Sequence, residues 1–337
     1  MRHLLTAALL LVAPLAAGAA EPPALLQAAV DGHVRPGFDA LAARSDDLVA
    51  ASLTTCDRDD PALRAAFAAA WDAWIRMSHL RIGPTEVDNR AFSLGYWPDA
   101  RGFIPKTLQA LIAAEDGAVD DPAAFKAVSI AAHGFTALEE LLYAPDFAAA
   151  PPYACRLMRA VAADIAGTAH AIADDWTGAY GAAFLAPGTE GAPYRTATEA
   201  LAALYSTITA QIQFDIDARM GRPMGTFDRP RPTRAEALNS GRALRHLELT
   251  LTGTRDLARI LVADRPENLA AVEAAYDRAL TTLARIEDPG LGDVADPMGR
   301  FRVETAQQRL GDVNAAVRGY VGGALGLTEG FNSQDGD

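Results

Sequence analysis

The chain has 337 residues, half of them hydrophobic, and a formal net charge of −13. That length allows one large or two ordinary domains with a well-buried core. The acid excess argues against nucleic acid and against anionic membrane surfaces as partners, because both repel a negative protein.

At the N-terminus, Arg2 and His3 precede an apolar run from Leu4 to Ala17, which ends in Gly18, Ala19 and Ala20. A short basic region, an apolar stretch and small residues in that order make a secretory signal peptide. The run falls short of the roughly 20 residues that a membrane-crossing helix needs. Residues 1–20 are therefore read as a signal peptide cleaved near Ala20, and the mature protein as periplasmic with no transmembrane segment. Cys56 and Cys155 are the only cysteines. In an oxidising compartment an even pair is most simply a disulfide. Thiolate metal ligation is the alternative, without the CxxC spacing such sites usually carry.

Helical periodicity dominates the rest of the chain. From Pro61 to Leu80 the residues Leu63, Phe67, Ala70, Trp71, Trp74, Ile75 and Met77 recur at steps of three and four, as one buried helical face requires. Asp59 or Asp60 ahead of Pro61 supplies a cap and a proline in the first turn. A second helix is predicted from Pro122 through Leu142. Others are predicted over Tyr153 to Tyr180, Thr198 to Met220, Thr233 to Val262, Pro266 to Glu287 and Phe301 to about Leu325. Alternating β-branched runs are missing, so the fold class is all-α. Gly83-Pro84, Ala144–Pro152, Gly181–Pro193 and Gly221–Pro232 are the breaks. The second of these is read as the connection between two bundles, an N-terminal one over 21–147 and a C-terminal one with a tail over 148–337.

The common catalytic signatures are absent: no HExxH, no GxSxG, no phosphate-binding loop and no GxGxxG. The mature histidines, His33, His79, His133, His170 and His246, are each isolated in sequence. A bundle can still assemble a metal site from side chains on several helices.

The run Ala131 to Tyr143 carries the most specific signal. With Gly134 and Glu139 spaced as in GxHxxE, it resembles the imelysin-like proteins, a bacterial envelope family first described as metallopeptidases and often associated with iron uptake. Thr136 stands where that motif has histidine. Trp74 to Trp97, with Arg81, Gly83 and Pro84 followed by Tyr96-Trp97-Pro98-Asp99, is similar to a second family stretch. So is Ser240-Gly241-Arg242-Ala243-Leu244, and Gly326 to Asp337 is similar to the ending of the iron-regulated branch. The resemblance implies two packed helical bundles of four-helix type with a site between them. It also implies iron or another divalent metal, or a haem-related ligand, as what is bound. The role it suggests is that of a non-enzymatic binding or accessory protein of metal acquisition. A scaffold that docks an envelope protein partner is the alternative. A metallopeptidase is implied only by the family's name, since it needs about three metal ligands and a base.

Helical geometry sorts the motif residues. At about 100° per residue, Phe135, Leu138, Leu141 and Leu142 define a buried face; Thr136 lies nearly opposite, and Glu139 sits at the edge of the stripe. His133 is turned about 120° from Glu139 and shares an azimuth with Glu140 only across roughly 10 Å of helix. The metal-ligand candidates are Glu139, His133 and His33, the last in a block Asp31 to Pro36 that also resembles the family. Structural readings stand beside them. Glu139 is expected to pair with Arg81 or Arg242, and His133 to lie on a helix surface. Gly134, Thr136, Glu140, Gly83, Pro84 and Trp97 complete the motif and interface set.

Overall fold

The computed structural model describes residues 21–148 and 152–327. The expected signal peptide, residues 149–151 of the proline-rich break, and the tail from Thr328 onward lie outside the described residues. Among the described residues every regular element is helical, and a lone bridge between Thr226 and Arg229 closes a turn.

The first helices, α1 (Pro22–Ala29) and α2 (Arg35–Thr54), form one rod joined through a π-helical turn at Val30–Val34. The next, α3 (Pro61–Met77), begins as its sequence predicts: the Asp60 side chain accepts from the backbone N–H groups of Ala62 and Leu63, and Pro61 opens the helix. Short helices α4 (Arg90–Leu94), α5 (Phe103–Ala114) and α6 (Pro122–Lys126) lead to α7 (Gly134–Tyr143) and to the long α8 (Pro152–Thr177). Helix α2 packs on both α3 and α8, and α7 packs on α8. Phe135 of α7 stacks on Trp71 of α3 with ring centres 6.0 Å apart, so these four helices share one core. Cys56 and Cys155 are disulfide-bonded, their Cα atoms 5.4 Å apart, which ties the end of α2 to the first turn of α8.

After α9 (Ala179–Phe184), α10 (Ala197–Phe214) continues through a second π-helical turn, Asp215–Met220, into α11 (Gly221–Met224). Then come α12 (Ala243–Leu261), α13 (Pro266–Leu283) and α14 (Pro297–Ala316). Helices α10, α12, α13 and α14 each pack on two of the others, a second four-helix group. The two groups meet where α12 crosses α3. Gly253 allows this, because a Cβ there would lie 1.9 Å from the Arg76 carbonyl oxygen. Since α8 packs with the helices before it, we propose that the chain passes from one group to the other after Phe184, in place of the division at 147.

Two predicted helices are corrected. Pro122 to Leu142 is not continuous. It breaks after Lys126, and α7 starts afresh at Gly134, whose φ is +73°. A Cβ at that position would sit 2.0 Å from the Ser93 carbonyl oxygen, so the glycine lets two backbone segments approach. Thr233 to Val262 is not one helix either: a 3-10 turn at Pro232–Arg234 is followed by a segment that turns through positive φ at Ala237 and Gly241, and α12 begins only at Ala243.

Candidate functional site

The helix α7 is enclosed on all sides. Every residue from Gly134 to Glu139 is buried, as are Leu141 and Leu142. Thr136 and Glu139 are each only 5% exposed. The expectation that Thr136 faces away from the core is therefore overturned; a helix wrapped by other helices has no outer face, whatever its azimuths suggest. The Thr136 hydroxyl oxygen has no hydrogen-bond partner.

Glu139 reaches neither Arg81 nor Arg242. Its Oε1 accepts from the backbone N–H of Ser240 at 2.8 Å and from the Ser240 hydroxyl at 2.6 Å. The neighbouring Glu140 accepts from Asn239 Nδ2 at 3.1 Å. Two adjacent carboxylates of α7 thus clasp the turn that precedes α12, which explains why that turn is held out of helix. Arg81 pairs at the surface with Glu86, at 2.6 Å, and Arg242 pairs with Asp72 of α3. With no cation beside it, Glu139 has its pKa pushed up to about 7. Burial is the main cause and outweighs the opposing Ser240 bonds, with repulsion from Glu140 and Glu236 adding a smaller upward push.

A few residues from Ser240 lies a second buried system. Arg219, in the π-helical turn after α10, donates from Nε to Glu236 at 2.6 Å and from Nη1 to Asp215 at 2.7 Å. Asp215 also accepts from Gln211 and from the Thr250 hydroxyl. Glu236 in turn faces Nδ1 of His246 at 2.8 Å. Burial alone would raise the Glu236 pKa, but the Arg219 charge, with His246 after it, outweighs it and holds it near 2. Because a carboxylate only accepts, Nδ1 of His246 carries the proton there, and its buried Nε2 is left without a partner. The edge of that ring meets Trp71 at 4.5 Å.

Of these groups Gln211, Arg219 and Glu236 line a cleft of about 1640 Å³. Trp71, Trp74, Trp97 and Phe214 supply apolar wall, Arg219 and Glu236 the charged floor, and Arg81 and Arg318 also line it. Trp97, singled out from the sequence, meets Phe214 edge-on at 6.0 Å.

Each of the three metal candidates has a partner of its own. His33 lies in the first π-helical turn, its Nε2 3.1 Å from Nε2 of His79. His133 is buried instead of lying on a helix surface. Its Nδ1 meets Asp164 at 2.8 Å and its Nε2 the Val128 carbonyl at 3.3 Å, which anchors the start of α7 to α8. Glu139 holds Ser240. Among the described residues no three His, Cys, Asp or Glu side chains converge as metal ligands. Gly83 has a positive φ and fits against Tyr180, while the Pro84 carbonyl accepts from Arg90.

Asp215, Arg219 and Glu236 escape the sequence reading, which counts His79 and His246 without giving them a role. A signal for the middle group exists: Gln211, Asp215 and Arg219 continue, at steps of three and four, the apolar stripe of Leu204 and Ile208. Polar residues on a buried stripe ask for partners.

The family model described as Imelysin (peptidase M75) matches residues 34–317. Two solved structures share the fold. An imelysin-like protein from Psychrobacter arcticum 273-4 superposes with a TM-score of 0.73 at 18% identity, covering 92% of this chain and 97% of its own. A protein provisionally named iron-regulated protein A precursor, from Parabacteroides distasonis ATCC 8503, gives a TM-score of 0.74 at 14% identity, covering 90% and 95%. No curated protein matches.

Proposed function

The chain belongs to the imelysin family, and on that premise we propose that it is a periplasmic, non-enzymatic binding protein of metal acquisition that takes its ligand in the cleft between the two helical groups. The observation that carries this reading is the composition of the cleft. Trp97 and Phe214 offer apolar surface backed by the buried Trp71 and Trp74, while Arg318, and Arg81 beside its partner Glu86, bring positive charge to the lining. Such a lining suits a planar, anionic, metal-containing ligand, of which haem is the accessible example. The basic and apolar N-terminal segment supports export. The name of the Parabacteroides protein supports the link to iron. Peptidase chemistry has less support: Thr136 offers a buried hydroxyl where a nitrogen ligand is needed, and Glu139 is committed to Ser240.

Isothermal titration of the full chain with ferrous, ferric, zinc and copper ions, and with haem, tests the proposal. Binding in the micromolar range, weakened at least tenfold by Trp97→Ala, is the expected result. No binding tighter than about millimolar for any of these ligands would overturn it. Docking of an envelope partner is a second reading, favoured by Phe227, Met298 and Phe301, which stand 74%, 61% and 61% exposed. Cross-linking in envelope extracts that is lost in Phe227→Ser with Phe301→Ser would favour it.

A further inference from the structure

The pair His33–His79 is not used by the reading of the cleft, and its geometry asks for an explanation. Both side chains are buried, at 5% and 1% exposure. They come from separate elements, the π-helical turn between α1 and α2 and the residue just past the end of α3. Their Nε2 atoms lie 3.1 Å apart, within hydrogen-bond distance of one another. On the far side of the His79 ring, Nδ1 lies 3.1 Å from the Arg76 carbonyl oxygen. A carbonyl only accepts, so Nδ1 carries the proton and Nε2 of His79 presents a bare lone pair toward His33.

That arrangement is the one a metal-binding imidazole uses. A backbone carbonyl fixes the tautomer through one nitrogen and leaves the other free to coordinate. Two nitrogens bound at about 2.0–2.1 Å to a single cation, with an angle between about 90° and 110°, stand about 2.9–3.4 Å apart. The observed separation falls within that interval. His79 also lines the cleft, so the open coordination positions would face whatever the cleft holds. The π-helical turn is a further pointer, because such one-turn bulges are retained most often where a side chain must be re-aimed for function.

We propose that Nε2 of His33 and Nε2 of His79 form a two-nitrogen site for a late first-row divalent cation of the zinc class, open toward the cleft. No third His, Cys, Asp or Glu among the described residues closes the site, so water or a cleft-bound ligand completes the coordination shell. Taking up the cation needs no net proton release: the His33 proton moves from Nε2 to Nδ1, and both rings stay neutral. Both rings are buried, which favours their neutral state. The Asp256 carboxylate, itself bound to Arg76 at 2.5 Å, adds a negative field that favours a cation. This deepens the reading of the cleft by naming where a metal is held, and it rests on that reading for its openness to ligand.

Zinc titration of the chelator-treated full chain tests it. One zinc per chain in the micromolar range is expected, weakened at least tenfold by His33→Ala and by His79→Ala and unchanged by His170→Ala, a surface histidine paired with Asp46. Zinc binding that survives both alanine variants overturns the site, as does wild-type affinity no better than millimolar. Should either alanine variant lose helicity by circular dichroism, X-ray absorption on the zinc-loaded wild type decides in its place. Two imidazole nitrogens near 2.0 Å support the site; one or none rejects it. Haem binding in the cleft without this zinc site would reject the metal inference and leave the cleft reading standing.

Discussion

Two buried carboxylates, Glu139 and Glu236, lie close enough for the charge of one to disturb the other, yet they are held in opposite ways. Glu236 has Arg219 on one side and His246 on the other, and it stays ionised down to pH near 2. Glu139 has only the hydroxyl and amide of Ser240, and its proton leaves near pH 7. Burial works equally against both charges. What separates them is a guanidinium, and neutral donors do not replace it when the carboxylate is out of water. The network on α10 and α12 is therefore a fixed charge, whereas the clasp between α7 and the turn before α12 changes charge within the physiological range.

The comparison breaks most sharply if its cation is removed. Arg219→Met leaves Asp215 and Glu236 buried without a counter-charge and should destabilise the protein by about 3–5 kcal/mol in urea unfolding. A loss below about 1 kcal/mol would mean that the two acids simply take up protons, as Glu139 does. The pH dependence sharpens the contrast further. Between its ordinary 4.5 and about 7, Glu139 holds a proton in the folded state that the unfolded chain has released. The contribution of Glu139 to stability should therefore fall as pH rises through that window, by about 3 kcal/mol in all. Glu236 runs the other way: its contribution is full above 4.5 and is lost as pH drops toward 2. Glu139→Gln keeps an oxygen for both Ser240 donors and should flatten the first slope, leaving the variant more stable than wild type at pH 8 and nearly equal at pH 5. An unchanged slope would assign the titration to another group.

Much of the fold is legible in the sequence and some is not, for reasons that particular residues make clear. The start of α3 can be read because Asp60 and Pro61 act locally, and its apolar face because a helix exposed on one side must repeat at 3.6 residues. The break before α7 cannot, because Gly134 answers to the carbonyls of Ser93 and Leu94, which are distant in sequence. Nor can the burial of Thr136, since a helix enclosed all round loses the azimuthal contrast that periodicity measures. In the site, Glu139 is found by motif. Ser240, one hundred and one residues away, could not be assigned as its partner, and the expectation of an arginine fails because Arg81 and Arg242 have nearer acids. His33 is named without His79 for the same reason: nothing local couples positions that only packing brings together.

The smallest expected effect concerns Thr136, which shares α7 with Glu139 and sharpens the contrast at a single atom. The Thr136 hydroxyl is buried with no partner, whereas the Thr250 hydroxyl beside Asp215 is used. An orphaned buried hydroxyl costs about 1–3 kcal/mol, while replacing it by a methyl of the same shape removes that cost and leaves packing intact. Thr136→Val should therefore raise stability by about 0.5–1 kcal/mol, a rise of a few degrees or less in Tm for a chain of this size. If instead the variant is less stable by about 1 kcal/mol or more, the hydroxyl has a partner in solution, and a water or ligand at the motif position becomes the simplest one to seek. Repeating the measurement with zinc or haem present distinguishes these two, because only a bound ligand would make the cost of the substitution depend on its concentration.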